Sequence, residues 1–151
     1  MSDNWIAIVP EDPDFIPEFE SQNTALELFR MIAPESDEIE IKLSEGVQLF
    51  DCGTNLERII CPHCNREIPT DWWQDQIDED HDGNGFLMKR YPTPCCQTAF
   101  SLNQLRYEWP QAFGRFAIDA MNPNIERLHE EQREAFERIL GTPLKIVLQH
   151  V

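Results

Sequence analysis

Positive charge is what this chain has least of. Its 151 residues hold 12 lysines and arginines against 28 aspartates and glutamates, a formal net charge of −16. General nucleic-acid binding needs a basic surface to neutralise phosphates, so that class is excluded. Adhesion to anionic membrane surfaces is excluded on the same ground. Long apolar runs are also missing, and none approaches the roughly 20 residues of a membrane span. The opening Met1-Ser2-Asp3-Asn4 has neither the basic nor the apolar region of a secretory signal, which leads us to expect a soluble cytoplasmic protein. Catalytic signatures are lacking too: there is no Gly-rich phosphate loop, no G-x-S-x-G and no H-E-x-x-H. His129, among charged neighbours, reads as a surface residue.

What is present is an ordinary globular composition, 41% hydrophobic and 26% charged. A chain of this length is about one domain and buries roughly two thirds of its unfolded surface. The acidity is uneven. Residues 1–50 carry 12 acids against Arg30 and Lys42, whereas residues 111–151 carry 6 acids against 5 bases. An acidic front keeps a protein soluble, and it can also steer a basic partner.

The pattern along the chain repeats a layout. Trp5 to Val9 is a short apolar run stopped by Pro10, a buried strand. Thr24 and Glu27 form a capping-box pattern, and Ala25, Leu28, Phe29 and Ile32 follow at helical spacing until Pro34. Glu38 to Leu43 alternates charged and apolar residues, a strand with one dry face. Later, Phe116, Ile118 and Ala120 alternate as a strand, and Asn122-Pro123 offers a helix cap and a first helical residue. Ile125, Leu128, Ala135, Phe136 and Ile139 form an apolar stripe closed by Gly141 and Pro143. Leu144, Ile146 and Leu148 alternate as the last strand. Two strand–helix–strand halves, residues 1–44 and 113–151, thus flank an insert over residues 45–112. Joined in one compact domain, such halves predict an α+β fold, a ferredoxin-like βαβ–βαβ sandwich split by the insert.

The insert holds all five cysteines: Cys52, Cys61, Cys64, Cys95 and Cys96. Cys61-Pro62-His63-Cys64 is a C-x-x-C knuckle, and Cys95-Cys96 follows Pro92-Thr93-Pro94. Four thiolates in a tetrahedron at ~2.3 Å make a closed structural zinc site, and soft sulfur ligands select zinc over harder cations. Cys61, Cys64, Cys95 and Cys96 are therefore the candidate metal ligands of a zinc-ribbon-like insert. The adjacent pair departs from the usual second C-x-x-C, because neighbouring side chains diverge and a local turn must bring both to one ion. His81 or Cys52 could take one place instead, and buried thiols or a redox pair without metal remain open. An odd cysteine count argues against a disulfide framework. Thr70 to Asp78 reads as a short helix hung between the two pairs, capped by Thr70 or Asp71. Trp72, Trp73 and Trp109 would pack the thin core of the insert, unless one is exposed as a binding anchor. Asp78, Asp80 and Asp82 with Gly83 imitate a calcium loop, but Gly85 and Lys89 stand where an apolar residue and a bidentate glutamate belong.

Several motifs run together: Cys61-Pro62-x-Cys64, Asp71-Trp72-Trp73, Thr93-Pro94-Cys95-Cys96, Ser101-Leu102-Asn103-x-Leu105-x-Tyr107-x-Trp109-Pro110 and Phe113-x-Arg115-Phe116. On these the chain resembles a family of small, acidic, uncharacterised bacterial proteins, over nearly its whole length from Val9-Pro10 to Pro143-Leu144. The resemblance implies a shared fold and a metal site and carries no activity with it. The expectation is a non-enzymatic, acidic protein-binding domain with a structural zinc. Its partner would be basic, as for an immunity or inhibitor protein that covers a toxin or effector. The alternatives are a zinc-dependent hydrolase with an open metal position, or a zinc-ribbon adaptor in a larger assembly.

Overall fold

Strand β1 (Asn4–Pro10) is buried from Ile6 onward because it lies inside the main sheet. It pairs antiparallel with β7 (Ala112–Met121) on one side and with β8 (Leu144–His150) on the other. The outer partner of β7 is β2 (Glu38–Phe50), which gives the order β2-β7-β1-β8. The computed structural model describes residues 2–151. Among these the fold is α+β, with three α-helices and mostly antiparallel sheets.

The period-two pattern sorts the sheet into two faces. Ile6, Ile8, Phe116, Ile118 and Ala120 face helices α1 (Phe19–Ile32) and α3 (Glu130–Leu140). Phe29 and Phe136 close that layer with ring centroids 5.3 Å apart. The opposite face carries smaller residues, Ala7, Val9, Ala112, Ala117 and Val147, which pack with Cys52 and Phe50.

Local signals set the element ends, with three corrections to the sequence reading. Thr24 does not cap α1, which begins five residues earlier at Phe19. Inside the helix its Oγ1 donates to Glu20 O at 3.0 Å, the alternative open to a threonine in a helix interior. Asn122-Pro123 does not start α3 either; that helix begins at Glu130, where His129 N donates to Gln132 Oε1 at 2.8 Å. Asn122 instead has a left-handed backbone, and its side chain accepts from Asn4 N and donates to Asp3 and Asp37. Ile125 and Leu128 still pack on the helical core, but from a loop. Finally, β2 does not stop at Leu43. It shifts register between Leu43 and Gln48 and runs on to Phe50, so the boundary placed between residues 44 and 45 falls inside a strand. Gly141 closes α3 as read, at φ 75°, its N–H donating to Glu137 O at 2.8 Å.

The segment between β2 and β7 forms a second lobe. Strands β3 (Arg58–Ile60) and β6 (Arg106–Glu108) pair antiparallel, as do β4 (Tyr91–Pro92) and β5 (Ala99–Phe100). Helix α2 (Thr70–Asp80) stands between them in sequence. Trp73 donates its Nε1–H to Tyr107 OH at 2.9 Å, and that hydroxyl donates to Leu102 O at 2.7 Å, so these two buried polar groups are satisfied. Ile59, Ile68, Leu102 and Leu105 complete this core, and Val47 and Phe113 reach into it from the sheet.

One backbone crossing pins the lobe to the sheet. Phe86 N donates to Val47 O at 2.9 Å, and beside it Gly85 and Gly46 touch main chain to main chain. A Cβ on Gly85 would sit 2.7 Å from Gly46 Cα. Gly85→Ala must therefore push two backbones apart, and we expect it to cost about 1–3 kcal/mol in urea unfolding. An unchanged midpoint would show that the crossing yields freely.

Candidate metal centre

Strand β3 delivers the chain into the first knuckle. Cys61 N donates to Arg66 O at 2.9 Å, and Asn65 N returns to Cys61 O at 3.0 Å, with Asn65 at φ 62°. The hairpin of β4 and β5 repeats the same turn 32 residues later. Thr93 N donates to Thr98 O at 3.1 Å, Gln97 N returns to Thr93 O at 2.9 Å, and Gln97 has φ 63°. Cys61-Pro62-His63-Cys64-Asn65 and Thr93-Pro94-Cys95-Cys96-Gln97 are thus equivalent loops. Pro62 matches Pro94 and Cys64 matches Cys96, while Thr93 stands where the first loop has Cys61. Cys95, from inside the turn, supplies the sulfur that position 93 does not.

The two loops bring four sulfurs together. The Sγ atoms of Cys61, Cys64, Cys95 and Cys96 all lie within 4.8 Å of one another. Cys61 and Cys96 are 3.7 Å apart and Cys64 and Cys95 are 3.3 Å apart. Sulfurs at the corners of a tetrahedron with ~2.3 Å metal bonds are separated by about 3.8 Å, so this group could hold a metal ion. Neither His81 nor Cys52 belongs to the group. His81 packs edge-on against Phe86, with its Nδ1 accepting from Gly83 N at 3.0 Å. Cys52 is buried beside Gln111, whose Oε1 accepts from Cys52 N at 3.0 Å; burial pushes its thiol up to about 11.

Thiolates are the metal-binding form of cysteine, and the surroundings favour them unevenly. Contact with the Thr93 hydroxyl, aided by the hydroxyl and amide of Thr98, pulls Cys96 down to about 5. Thr93 is fully buried, with its Oγ1 3.4 Å from Cys96 Sγ, and Thr98 Oγ1 lies at 3.3 Å. Burial alone would raise Cys61, but the amides of Cys64 and His63 together bring it below its usual value. At Cys64 the Arg66 amide lowers the thiol, yet burial and three neighbouring sulfurs outweigh it and push it up to about 11. Four negative sulfurs this close repel one another, and a divalent cation at their centre turns that repulsion into attraction.

Asp80 supports the second loop from behind. It is fully buried, and its carboxylate accepts from Met88 N at 2.9 Å, Lys89 N at 3.0 Å and Tyr91 OH at 2.8 Å. It therefore serves the chain that leads into β4 and is not part of a calcium loop, whose first two aspartates lie in helix α2. Sequence reasoning missed Thr93, Thr98 and Asp80. For Thr93 a signal existed: proline, cysteine and a carboxamide residue recur in the same order in both loops. Of the tryptophans, Trp73 is buried and Trp72 packs on the lobe core, whereas Trp109 remains exposed.

Comparison with known proteins found no matching family model, no matching curated protein and no matching solved structure. Among the described residues no helix is long and apolar enough to cross a membrane.

Proposed function

We propose that this chain is a non-enzymatic, acidic protein-binding domain in the cytoplasm, a member of the family that its motifs resemble. In this reading the order β2-β7-β1-β8, backed by α1 and α3, is a ferredoxin-like sandwich. The lobe between β2 and β7 is then a zinc-ribbon-like insert built on one structural zinc. The observation that carries the metal assignment is the set of four sulfurs within 4.8 Å. Four soft ligands suit zinc and fill its tetrahedron. The lobe is small, and metal binding supplies folding energy that its thin core lacks.

The partner follows from charge. At −16, the chain attracts a basic surface and repels nucleic acid and anionic lipid. An immunity or inhibitor protein that covers a basic toxin or effector fits this chemistry. Two measurements test the reading. Native mass spectrometry should give one zinc per chain, with four thiols protected until a chelator removes the metal and Cys52 shielded by burial alone. A zinc-dependent hydrolase needs a position open to water, so three protected thiols would favour that alternative. Capture from the source cell should recover a basic protein whose association rate falls about tenfold or more from low to physiological salt. Recovery of neutral or acidic partners alone would favour an adaptor in a larger assembly.

A further inference from the structure

A groove of about 790 Å³ lies where the start of β1, the end of β8, the chain after Cys52 and the loop between β7 and α3 meet. None of the four clustered cysteines lines it. Its size is that of a site for a small molecule or a single inserted side chain. Trp5 contributes one indole from β1, and Trp109, 39% exposed, contributes a second from the turn between β6 and β7. Exposing an indole forfeits the hydrophobic stabilisation that its burial would give, so the ring is available for a ligand.

The polar part of the groove is biased toward one sign. Four of its five carboxamides donate from their NH2 groups to carboxylates or a carbonyl. Asn122 donates to Asp37 at 2.8 Å and Asp3 at 3.0 Å, Asn124 to Glu35 at 2.6 Å, Gln149 to Asp51 at 3.1 Å, and Asn55 to Leu148 O at 2.9 Å. Asn122 thereby spends both of its N–H donors and the other three spend one each, while Asn4, also on the groove, has its Oδ1 2.6 Å from His150 Nδ1. Glu126 lines the groove, and among the described residues no lysine or arginine does. Two indoles, the Glu126 carboxylate and a rank of carboxylates behind the amides describe a receptor for an organic cation. A guanidinium suits it best, because it is planar, stacks on indole, and offers five donors in a rigid fork.

We propose that this groove receives an arginine side chain of the basic partner. The inference rests on the basic-partner reading above and adds where that partner anchors. A phosphate or carboxylate ligand would meet Glu126 with no lysine or arginine in the lining to offset it. A neutral sugar could stack on the indoles but would make no use of the carboxylates.

The test uses the full-length, metal-loaded protein and a short acetylated, amidated peptide of alternating glycine and arginine. Its counterpart carries citrulline, which keeps the shape and removes the charge. Binding is followed by the indole Nε1–H signals in nitrogen–proton correlation spectra, where Trp72 and Trp73, outside the groove, serve as controls. The arginine peptide should shift Trp5 and Trp109 saturably and leave Trp72 and Trp73 in place. Citrulline should bind at least about three- to tenfold more weakly, and Trp109→Ala should lose a similar factor. Glu126→Gln, on an exposed side chain that leaves the core untouched, should weaken the arginine peptide but not its citrulline counterpart. Equal affinity for the two peptides overturns the inference. Shifts confined to other acidic surfaces, with Trp5 and Trp109 silent, overturn it while sparing the basic-partner reading. No saturable shift anywhere counts against both.

Discussion

Stripping the metal with a chelator, or replacing Cys64 by serine, is expected to unfold the lobe between β2 and β7 and to leave the main sheet with α1 and α3 folded. The reason is the division of the cores. The cluster around Ile8, Phe29, Phe116 and Phe136 is built from residues outside the lobe, whereas Ile59, Ile68, Trp73, Leu102, Leu105 and Tyr107 form a second core to which the sheet adds Val47 and Phe113. Structural zinc contributes about 10–16 kcal/mol in isolated finger peptides, far more than so small a core supplies. Unfolding of the loaded protein should be cooperative. The stripped protein should show an early transition in the fluorescence of Trp72, Trp73 and Trp109, then a later one in helical circular dichroism. Loss of at least about 4 kcal/mol from the lobe is expected, the linkage effect of a ligand present at a thousand times its dissociation constant. Hydrogen exchange should localise the change, with the amides of β3 and β6 losing protection before those of β1. A stripped protein with an unaltered single transition would mean that the sulfurs meet without needing an ion.

The second large effect is expected at Asp80. Its carboxylate takes three hydrogen bonds in a fully buried setting, and bonds to a charged group are worth about 1.5–3 kcal/mol each. Asp80→Ala strands two backbone N–H groups and the Tyr91 phenol, and we expect a loss of about 3–5 kcal/mol. Asp80→Asn should recover little, because its NH2 would face one of those donors. Residues 88 to 91 lead directly to Thr93, so metal affinity should fall with stability. Competition with a chromophoric zinc chelator measures the first and denaturant unfolding the second. A cost below about 1 kcal/mol would mean that water replaces the carboxylate.

Much of this was legible in the sequence because it is local. Strict alternation in Glu38 to Leu43 and in Phe116 to Met121 marked strands, and the spacing of Ala25, Leu28, Phe29 and Ile32 marked a helix. The four clustered cysteines were legible as well, since soft ligands in two tight pairs have few other uses. Signals that two structures can share were misread. A Thr-x-x-Glu pattern fits a helix cap or a helix interior, and Asn122-Pro123 fits a cap or a loop; the neighbours of Asn4, Asp3 and Asp37 decide for the loop. The crossing of Gly46 and Gly85, and the service of Asp80 to Tyr91, join residues distant in sequence and leave no periodic trace. Thr93 was hidden by its chemistry, because a hydroxyl in a ligand's place looks like an ordinary loop residue.

Phe50 and Ala112 are partners across β2 and β7, so the chain departs from the sheet and rejoins it at facing positions about 5 Å apart. For the strands, everything from residue 51 to residue 111 closes a gap that a two-residue reverse turn could close. Their pairing therefore does not dictate the length of that excursion, although Val47 and Phe113 need its core to cover them. A graft whose two ends arrive side by side and which covers Val47 and Phe113 meets the same geometric demand, which makes this junction a socket for interchangeable parts.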